Sequence, residues 1–353
     1  MELFETIREM GHEQVVFCHD KDSGMKAIIA IHDTSLGPAM GATRLRPYIS
    51  EEEALRDVLR LSRGMTYKAA CANIPVGGGK AVIIANPENK TDELLRAYGR
   101  FVNSLNGRFI TGQDVNISPE DVRKIGSETD YVVGVSEKAG GPAVTTALGV
   151  LLGIKAGVEF RLHKKDLSGL KIAVQGVGNV GKNLCHQLSK HDVEIFVCDM
   201  NRDKAEEIKH LYGATVVNPE EIYSLDVDVF SPCGFGGILN RETIPSIKAS
   251  VIAGAANNQL EEDQIDGMLL KSKKILYCPD YVINAGGLIN VYNEMIDSDD
   301  AKTLQQLNNI YDSLLTIFKK AEEDEITTQE GSKRLAEERI RKAKETKIMV
   351  KRN

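Results

Sequence analysis

The residues best placed to do chemistry lie between Arg63 and Lys80, in the stretch RGMTYKAACANIPVGGGK. It holds two lysines, Lys68 and Lys80, and Gly77, Gly78 and Gly79 stand directly before the second. An apolar run, AVIIA at 81–85, follows at once. A lysine at the mouth of a buried strand is costly to desolvate unless an anion meets it. Glycines let a ligand approach the backbone closely. The stretch reads either as a site for a small anionic molecule or as a loop whose lysines sit in water. Asp114 lies in the polar turn TGQDVN (111–116), which ends a short strand, and its carboxylate could meet Lys68 and Lys80 in space. Read by itself, Asp114 is more simply a turn residue or the cap of a helix starting near Ser118.

A second site is written at 171–181, KIAVQGVGNVG. A strand leads into Gly176, Gly178 and Gly181, and a helix opens through Asn179 and Val180. The next strand, 193–198, ends at Asp199. A bare GxGxxG is weak evidence, but strand, helix and an acidic residue about 20 positions on complete the dinucleotide fingerprint. Gly176 makes the tight turn, Gly178 admits the pyrophosphate and Gly181 lets helix and strand pack. The helix N-terminus attracts the phosphates. Asp199 is expected to accept from the ribose hydroxyls, which favours NAD over NADP, with Arg202 close enough to soften that preference. Further strands at 227–230, 250–253 and 275–277 end in small or polar residues, among them Cys233, Ala255 and Asn258, along the edge where a dinucleotide would lie.

The elements that must position these groups follow from periodicity and caps. Strands are expected at 14–18 and 25–31, and a further extended piece near Gly41-Ala42-Thr43-Arg44-Leu45. Ser50 before three glutamates starts a helix that runs toward Lys68, and Thr91 before Asp92 and Glu93 starts another. A long helix is expected from about 144 to 160, an amphipathic one over 301–321 with Leu304, Leu307, Tyr311, Leu314 and Phe318 on one face, and a last one capped by Thr327 with Glu330. Residues 135–142 make the best linker. Alternating strands and helices after it imply a parallel, doubly wound sheet. The expected architecture is α/β in two domains: 1–135 for substrate, catalysis and oligomer contacts, and 136–330 as a Rossmann-type dinucleotide domain, with the helix 331–353 returning to the first.

A chain of 353 residues suits two domains. A formal net charge of −7 argues against a general nucleic-acid binder. No apolar run reads as long enough to span a bilayer, and the acidic, polar N-terminus is unlike a signal peptide. The six cysteines form no CxxC pair and no zinc-spaced cluster, so no metal is expected. They suit reduced, mostly buried thiols in a cytoplasmic protein.

The pieces PAMGATR (38–44), RGMTYK (63–68), GGGK (77–80), TGQDVN (111–116), GVGNVG (176–181), GAANNQL (254–260) and PDYVINAGG (279–287) occur in one order along nearly the whole length. In them the chain resembles the glutamate/leucine/phenylalanine/valine amino-acid dehydrogenases. The segments MTYKAACANIP and GGLINVYNEM are more similar to the tryptophan-oxidising members than to the leucine-oxidising ones. The resemblance implies reversible, NAD-dependent oxidative deamination of a hydrophobic L-amino acid, tryptophan to indole-3-pyruvate and ammonia first, leucine or phenylalanine as alternatives. It implies Lys80 as the lysine that activates water, Asp114 as its acid/base partner and Lys68 as the substrate-carboxylate ligand. Thr146 and Asn284 match positions beside the nicotinamide, and Asn258 is expected where substrate and nicotinamide meet. Gly41, Met40, Met65, Ala69, Ile74, Ile110, Leu288, Ile289 and Tyr292 are expected around the substrate side chain. No charge among them would hold a glutamate side chain. Ala42 stands where leucine enzymes carry a second glycine. Relatives assemble, so a homo-oligomer, a dimer first, is expected. From another class, the alternative is a catalytically silent dinucleotide-binding or amino-acid-sensing protein, against which the intact Lys68, Lys80 and Asp114 argue.

Overall fold

In the computed structural model the described residues are 3–135 and 140–350, with the side chains of 348–350 set apart. Half of the expected linker, 136–139, lies outside the described residues, and its last two residues, Gly141 and Pro142, open a helix. The chain divides into two compact units. One comprises Met1–Glu137, Val291–Asp297 and Ala336–Asn353, and the other Lys138–Asn290 and Ser298–Leu335.

The first unit runs α1 (Leu3–Met10), β1 (Gln14–Asp20), β2 (Met25–Asp33), β3 (Ala39–Met40), β4 (Thr43–Arg46), α2 (Glu51–Ala72), β5 (Gly77–Ile84), α3 (Asp92–Ser104), β6 (Phe109–Ile110) and α4 (Pro119–Gly126). Its sheet is ordered β1-β2-β5-β3-β6, with β4 also on β5. β2 is antiparallel to β1 and β5, whereas β3 and β4 are parallel to β5. Successive residues of β5 face opposite sides. Val82 joins Ile28 and Ala30 under Ala54, Leu55, Val58 and Leu59 of α2. Ala81 and Ile83 join Leu94, Leu95 and Tyr98 of α3 on the other side. Both helices start where the caps require: Ser50 accepts from the Glu53 N–H and Thr91 from the Leu94 N–H.

The triple glycine corrects the reading of a loop. Gly77, Gly78 and Gly79 are the first three residues of β5, and Lys80 is its fourth. A Cβ on Gly78 would stand 2.1 Å from the Thr66 backbone nitrogen, and one on Gly79 2.7 Å from the Phe109 ring. The glycines bring helix and aromatic ring onto the strand rather than a ligand onto a loop. The expected cap role of Asp114 is also filled elsewhere, because Ser118 and Asp121 make a reciprocal capping box at α4.

The second unit contains α5 (Gly141–Leu162), β7 (Leu170–Gln175), α6 (Asn179–Leu188), β8 (Val193–Cys198), α7 (Arg202–Tyr212), β9 (Thr215–Val216), β10 (Val229–Pro232), β11 (Val251–Ile252), α8 (Asp263–Ser272), β12 (Leu276–Tyr277), α9 (Asp280–Ile283), α10 (Gly286–Met295), α11 (Asp300–Glu323) and α12 (Thr328–Val350). The closing residues of α10 and α12 belong to the first unit. The strands are all parallel in the order β12-β11-β10-β7-β8-β9. This is the doubly wound order, with its switch point between β7 and β10. Two expectations change. α5 is long and apolar enough by composition to cross a bilayer, which the reading of apolar runs had excluded. It is the central helix of this unit, packed on α6, α9, α11 and β11. On α11 the buried stripe is Thr303, Leu307, Ile310, Leu314 and Ile317, while Leu304 is exposed.

Behind α2 the first unit buries a histidine pair. His32 Nδ1 lies 2.8 Å from Thr66 Oγ1, and His12 Nε2 lies 2.7 Å from Ser62 Oγ. Their rings meet edge-on at 4.9 Å. Burial is the main cause that lowers both to about 4, with the His32 charge adding to the shift of His12. An unfolded histidine titrates near 6.5. The unfolded chain therefore binds more protons between about pH 4 and 6.5, and stability from this pair is present above that window and lost on descending it. The thermal midpoint is expected to fall over that window, and His32→Gln to flatten the fall. Melting curves between pH 4 and 8 check this; equal slopes for both proteins would contradict it.

Candidate active site

In the first unit the site is built on one ion pair. Lys80, 6% exposed, places Nζ 2.6 Å from Asp114 Oδ2. This is contact distance without hydrogen-bond alignment, and Asp114 Oδ2 makes no hydrogen bond among the described residues. Lys80 shares a face of β5 with Gly78 and Val82, the face that α2 covers. Asp114 is pinned from both sides by β4, whose Thr43 N–H donates to Gly112 O and Leu45 N–H to Val115 O, each at 3.0 Å. The Asn116 amide donates to Leu45 O. Beneath the turn, Thr43 Oγ1 meets Tyr98 OH and Thr111 Oγ1, both at 2.6 Å. Burial by itself raises the Asp114 carboxyl. The Lys80 charge, then Arg44 and the Val115 N–H, outweigh it and hold Asp114 below the usual carboxylate range.

Lys68 is half-buried in the penultimate turn of α2, with Met65 and the fully buried Ala69 beside it. Met40 and Ile110 are register partners across β3 and β6, and both are buried. A Cβ on Gly41 would fall 1.7 Å from Gly79 O, so Gly41 serves the packing of β3 on β5. Ile74 is buried just past the end of α2. Leu288 and Ile289 belong to the second unit and Tyr292 to the first, and all three are buried on α10. The sequence reading missed Glu294, which accepts from the Gly134 and Val135 N–H groups at 3.0 Å.

In the second unit, Gly176 (φ 89°) turns the chain out of β7, and Gly178 precedes α6. A Cβ on Gly181 would stand 2.0 Å from Gly176 O, whereas one on Gly178 would meet nothing within 4 Å. Gly181 is therefore a packing glycine, and the space at Gly178 is open. Asn179 and Val180 follow as the first residues of α6. Asp199 adds a role the reading did not foresee. Its Oδ2 accepts from Val177 N–H at 2.8 Å and its Oδ1 from Asn201 N–H at 2.9 Å, which fixes the glycine turn. Each oxygen keeps a second lone pair for a ribose hydroxyl. Cys233 lies across from Gly181, half-buried, and burial raises its thiol.

The buried Asn284 amide donates to Ala255 O (3.1 Å) and Asn257 Oδ1 (2.7 Å). Its own Oδ1 is buried with no donor among the described residues. Thr146 donates to Pro142 O at 2.6 Å. Asn258 is exposed in a left-handed conformation (φ 52°). A residue missed altogether is Gln259. Fully buried, its amide donates to Gly254 O (2.8 Å) and Ala256 O (2.9 Å), and its N–H reaches Asp280 Oδ2. No periodicity marks a lone glutamine inside a polar turn. An open glycine position at a helix N-terminus, an acidic residue after the second strand and an orphan buried acceptor together fit a nicotinamide dinucleotide.

A doubly wound unit with a dinucleotide fingerprint and a second unit that carries the Lys80–Asp114 pair fit a dehydrogenase. The family model "Glu/Leu/Phe/Val dehydrogenase, dimerisation domain" matches residues 12–137, and "Glutamate/Leucine/Phenylalanine/Valine dehydrogenase" matches 194–347. The chain is 70% identical to an L-tryptophan dehydrogenase of Nostoc punctiforme over 98% of each chain. It is 47% identical to a leucine dehydrogenase of Geobacillus stearothermophilus over 96% of this chain and 94% of that one. The crystal structure of L-tryptophan dehydrogenase from Nostoc punctiforme superimposes with a TM-score of 0.90 at 68% identity, over 97% of this chain and 99% of that one. The chain belongs to the Glu/Leu/Phe/Val dehydrogenase family, the amino-acid dehydrogenases.

Replacing Gln259 by Leu leaves two buried carbonyls without donors, at about 1–3 kcal/mol each. A loss of roughly 2–6 kcal/mol in chemical denaturation is expected. An unchanged midpoint would show that the amide does not hold the turn.

Proposed function

We propose that the protein catalyses reversible oxidative deamination of a hydrophobic L-amino acid with NAD, and that the preferred substrate is L-tryptophan, giving indole-3-pyruvate and ammonia. The Lys80–Asp114 pair carries the reaction assignment. Lys68 pairs with the substrate α-carboxylate. The dinucleotide would be held by Gly176, Gly178, Asn179, Val180, Gly181 and Asp199 at its phosphates and ribose, and by Thr146, Cys233, Ala255 and Asn284 toward the nicotinamide. When bound, it supplies the hydride acceptor for the Cα hydrogen. At the iminium oxidation level, Lys80 in its amine form takes a proton from water as the water oxygen bonds to Cα. The Asp114 carboxylate takes the proton of the carbinolamine hydroxyl and passes it to the amino nitrogen, and the C–N bond breaks as the C–O bond becomes a carbonyl. Ammonia leaves and takes up the proton that Lys80 had accepted from water, so that Lys80 returns to the amine and ammonium is the product. Burial keeps competing water from these transfers.

The choice of tryptophan rests on the 70% identical relative and on the apolar residues expected for the substrate side chain, Met40, Met65, Ala69, Ile74 and Ile110 with Gly41 in the first unit and Leu288, Ile289 and Tyr292 along α10. Ala69 leaves room, and Met40 can deform around a large ring. A methylene or two changes selectivity by only about 10–200-fold, which makes leucine and phenylalanine the nearest competitors. NAD over NADP is supported by the free acceptor capacity of Asp199, which repels a 2′-phosphate. We further assign a cytoplasmic homo-oligomer, a dimer, supported by six cysteines that are thiols rather than disulfides and by the name of the family model over residues 12–137.

The test is NADH formation with NAD and L-tryptophan, L-phenylalanine, L-leucine, L-valine or L-glutamate, compared by kcat/KM. Tryptophan is expected to lead by at least about tenfold. A lead for leucine would move the substrate and keep the mechanism. NADH binding without turnover on any of the five would return the silent-protein reading.

A further inference from the structure

One residue of the matched motifs has no role in the chemistry above. Arg44 closes the segment PAMGATR, and the structure places it on β4, register partner of Val82 in β5, on the face that also carries Lys80. Its side chain is largely buried. Arg44 NH1 lies 3.1 Å from Asp57 Oδ2, an oxygen that also accepts from Tyr48 OH at 2.8 Å. Arg60 stands 3.7 Å from the other Asp57 oxygen. Arg44 Nε lies 3.5 Å from Asp114 Oδ2, the same oxygen that faces Lys80. Neither that nitrogen nor that oxygen has a hydrogen-bond partner among the described residues, and both are shielded from solvent. One carboxylate oxygen is thus bracketed by two cations, one from β5 and one from β4, while Asp57 and Tyr48 hold the second cation in place.

The two cations differ in a way the reaction needs. A lysine that activates water must spend part of each cycle as the neutral amine. During that part, Asp114 loses its nearest counter-charge inside a site that screens charge poorly. Two outcomes compete: Asp114 takes up a proton, or another cation holds it ionised. A guanidinium does not give up its proton in a protein. Its planar fork can satisfy Asp57 with one nitrogen and face Asp114 with another, which the point-like charge of an ammonium does less well.

We propose that Arg44 is a positioning residue for the acid/base pair: a permanent counter-charge, oriented by Asp57 and Tyr48, that keeps Asp114 ionised while Lys80 cycles between ammonium and amine. Among the described residues, the charged and titratable groups around Asp114 include Lys80 from β5, Arg44 from β4, Asp57 and Arg60 from α2 through Arg44, Tyr48 following β4, and Lys90, which donates to Asn116 O in the same turn and pairs with Asp121. Lys68 lies about three turns beyond Asp57 on α2. Asp57 offsets part of the Arg44 charge and fixes its direction. The proposal rests on the reading of Lys80 and Asp114 given above.

The test is the pH dependence of kcat and kcat/KM for amino-acid oxidation by the full chain and by Arg44→Met and Arg44→Lys, with NADH affinity measured alongside. Loss of an opposite charge at this range raises a carboxylate by about one unit or more. The acid limb, which reports Asp114 coupled to Lys80, is expected to move up by about that much in Arg44→Met and to stay within about half a unit in Arg44→Lys. NADH affinity is expected to be unchanged in both. Should Arg44→Met not fold, Arg44→Gln, which can still donate to Asp57, is expected to shift the limb in the same way and decides the matter equally well. An acid limb that superimposes on the parent protein would overturn the proposal, whatever the change in rate or stability. Asp114→Asn is the control for the reading beneath it: parental turnover there would remove the acid/base assignment itself, whereas a dead Asp114→Asn with an unmoved Arg44→Met limb would remove the role of Arg44 alone.

Discussion

A lysine in the middle of a central strand is the constraint on which the first unit depends. Removing one partner from a buried ion pair costs about 3–5 kcal/mol, because the other charge is left without compensation. Lys80 therefore needs Asp114, and Asp114 needs a turn that cannot drift. The backbone hydrogen bonds from Thr43 and Leu45 on either side of Asp114, and the hydroxyl cluster of Thr43, Tyr98 and Thr111 below it, meet that need. Holding such a pair ready, at a distance set by the fold, is what lets acid/base chemistry proceed without reorganising solvent.

Close packing is the second half of the same design. α2 carries Lys68, Met65 and Ala69, and it can lie on β5 at its observed depth only because Gly78 has no side chain. β3 approaches β5 on the same terms through Gly41. In the second unit Gly181 plays that part between α6 and the turn after β7, and Asp199 ties the turn down through Val177. Glycines that look from the sequence like openings for ligands are mostly openings for protein. Gly178, with free space around it, is the exception.

The architecture was largely legible. Ser50, Thr91 and Thr327 announced three helix starts, and strand–GxGxxG–helix–Asp199 announced the parallel sheet, because caps and fingerprints are local and strongly patterned. The encounter of Lys80 with Asp114 was legible only as an option, since sequence spacing says nothing about distance through space. Glu294 and the tie from Asp199 to Val177 were invisible, because each joins a side chain to backbone atoms of a distant loop, and Gln259 because bonds within its own turn leave no periodicity in the sequence. The triple glycine misled for a plain reason. Gly-rich composition signals backbone freedom, yet here three extended residues give way to Thr66, Asp33 and Phe109 as packed neighbours. The long helix at 144–160 was legible, but its apolar character was not, because glycines and single charges interrupt the apolar run.

The central claim is that Lys80 and Asp114 act as one unit, and a double-mutant cycle in kcat tests it most directly. Lys80→Ala, Asp114→Asn and the double variant would be compared with the parent protein under saturating NAD and amino acid. Each single change is predicted to cost about 10²–10⁴-fold, and the double variant to lose little more than the worse single one, because residues that act together are strongly non-additive. Losses that multiply, or an Asp114→Asn protein that turns over at the parental rate, would contradict the account.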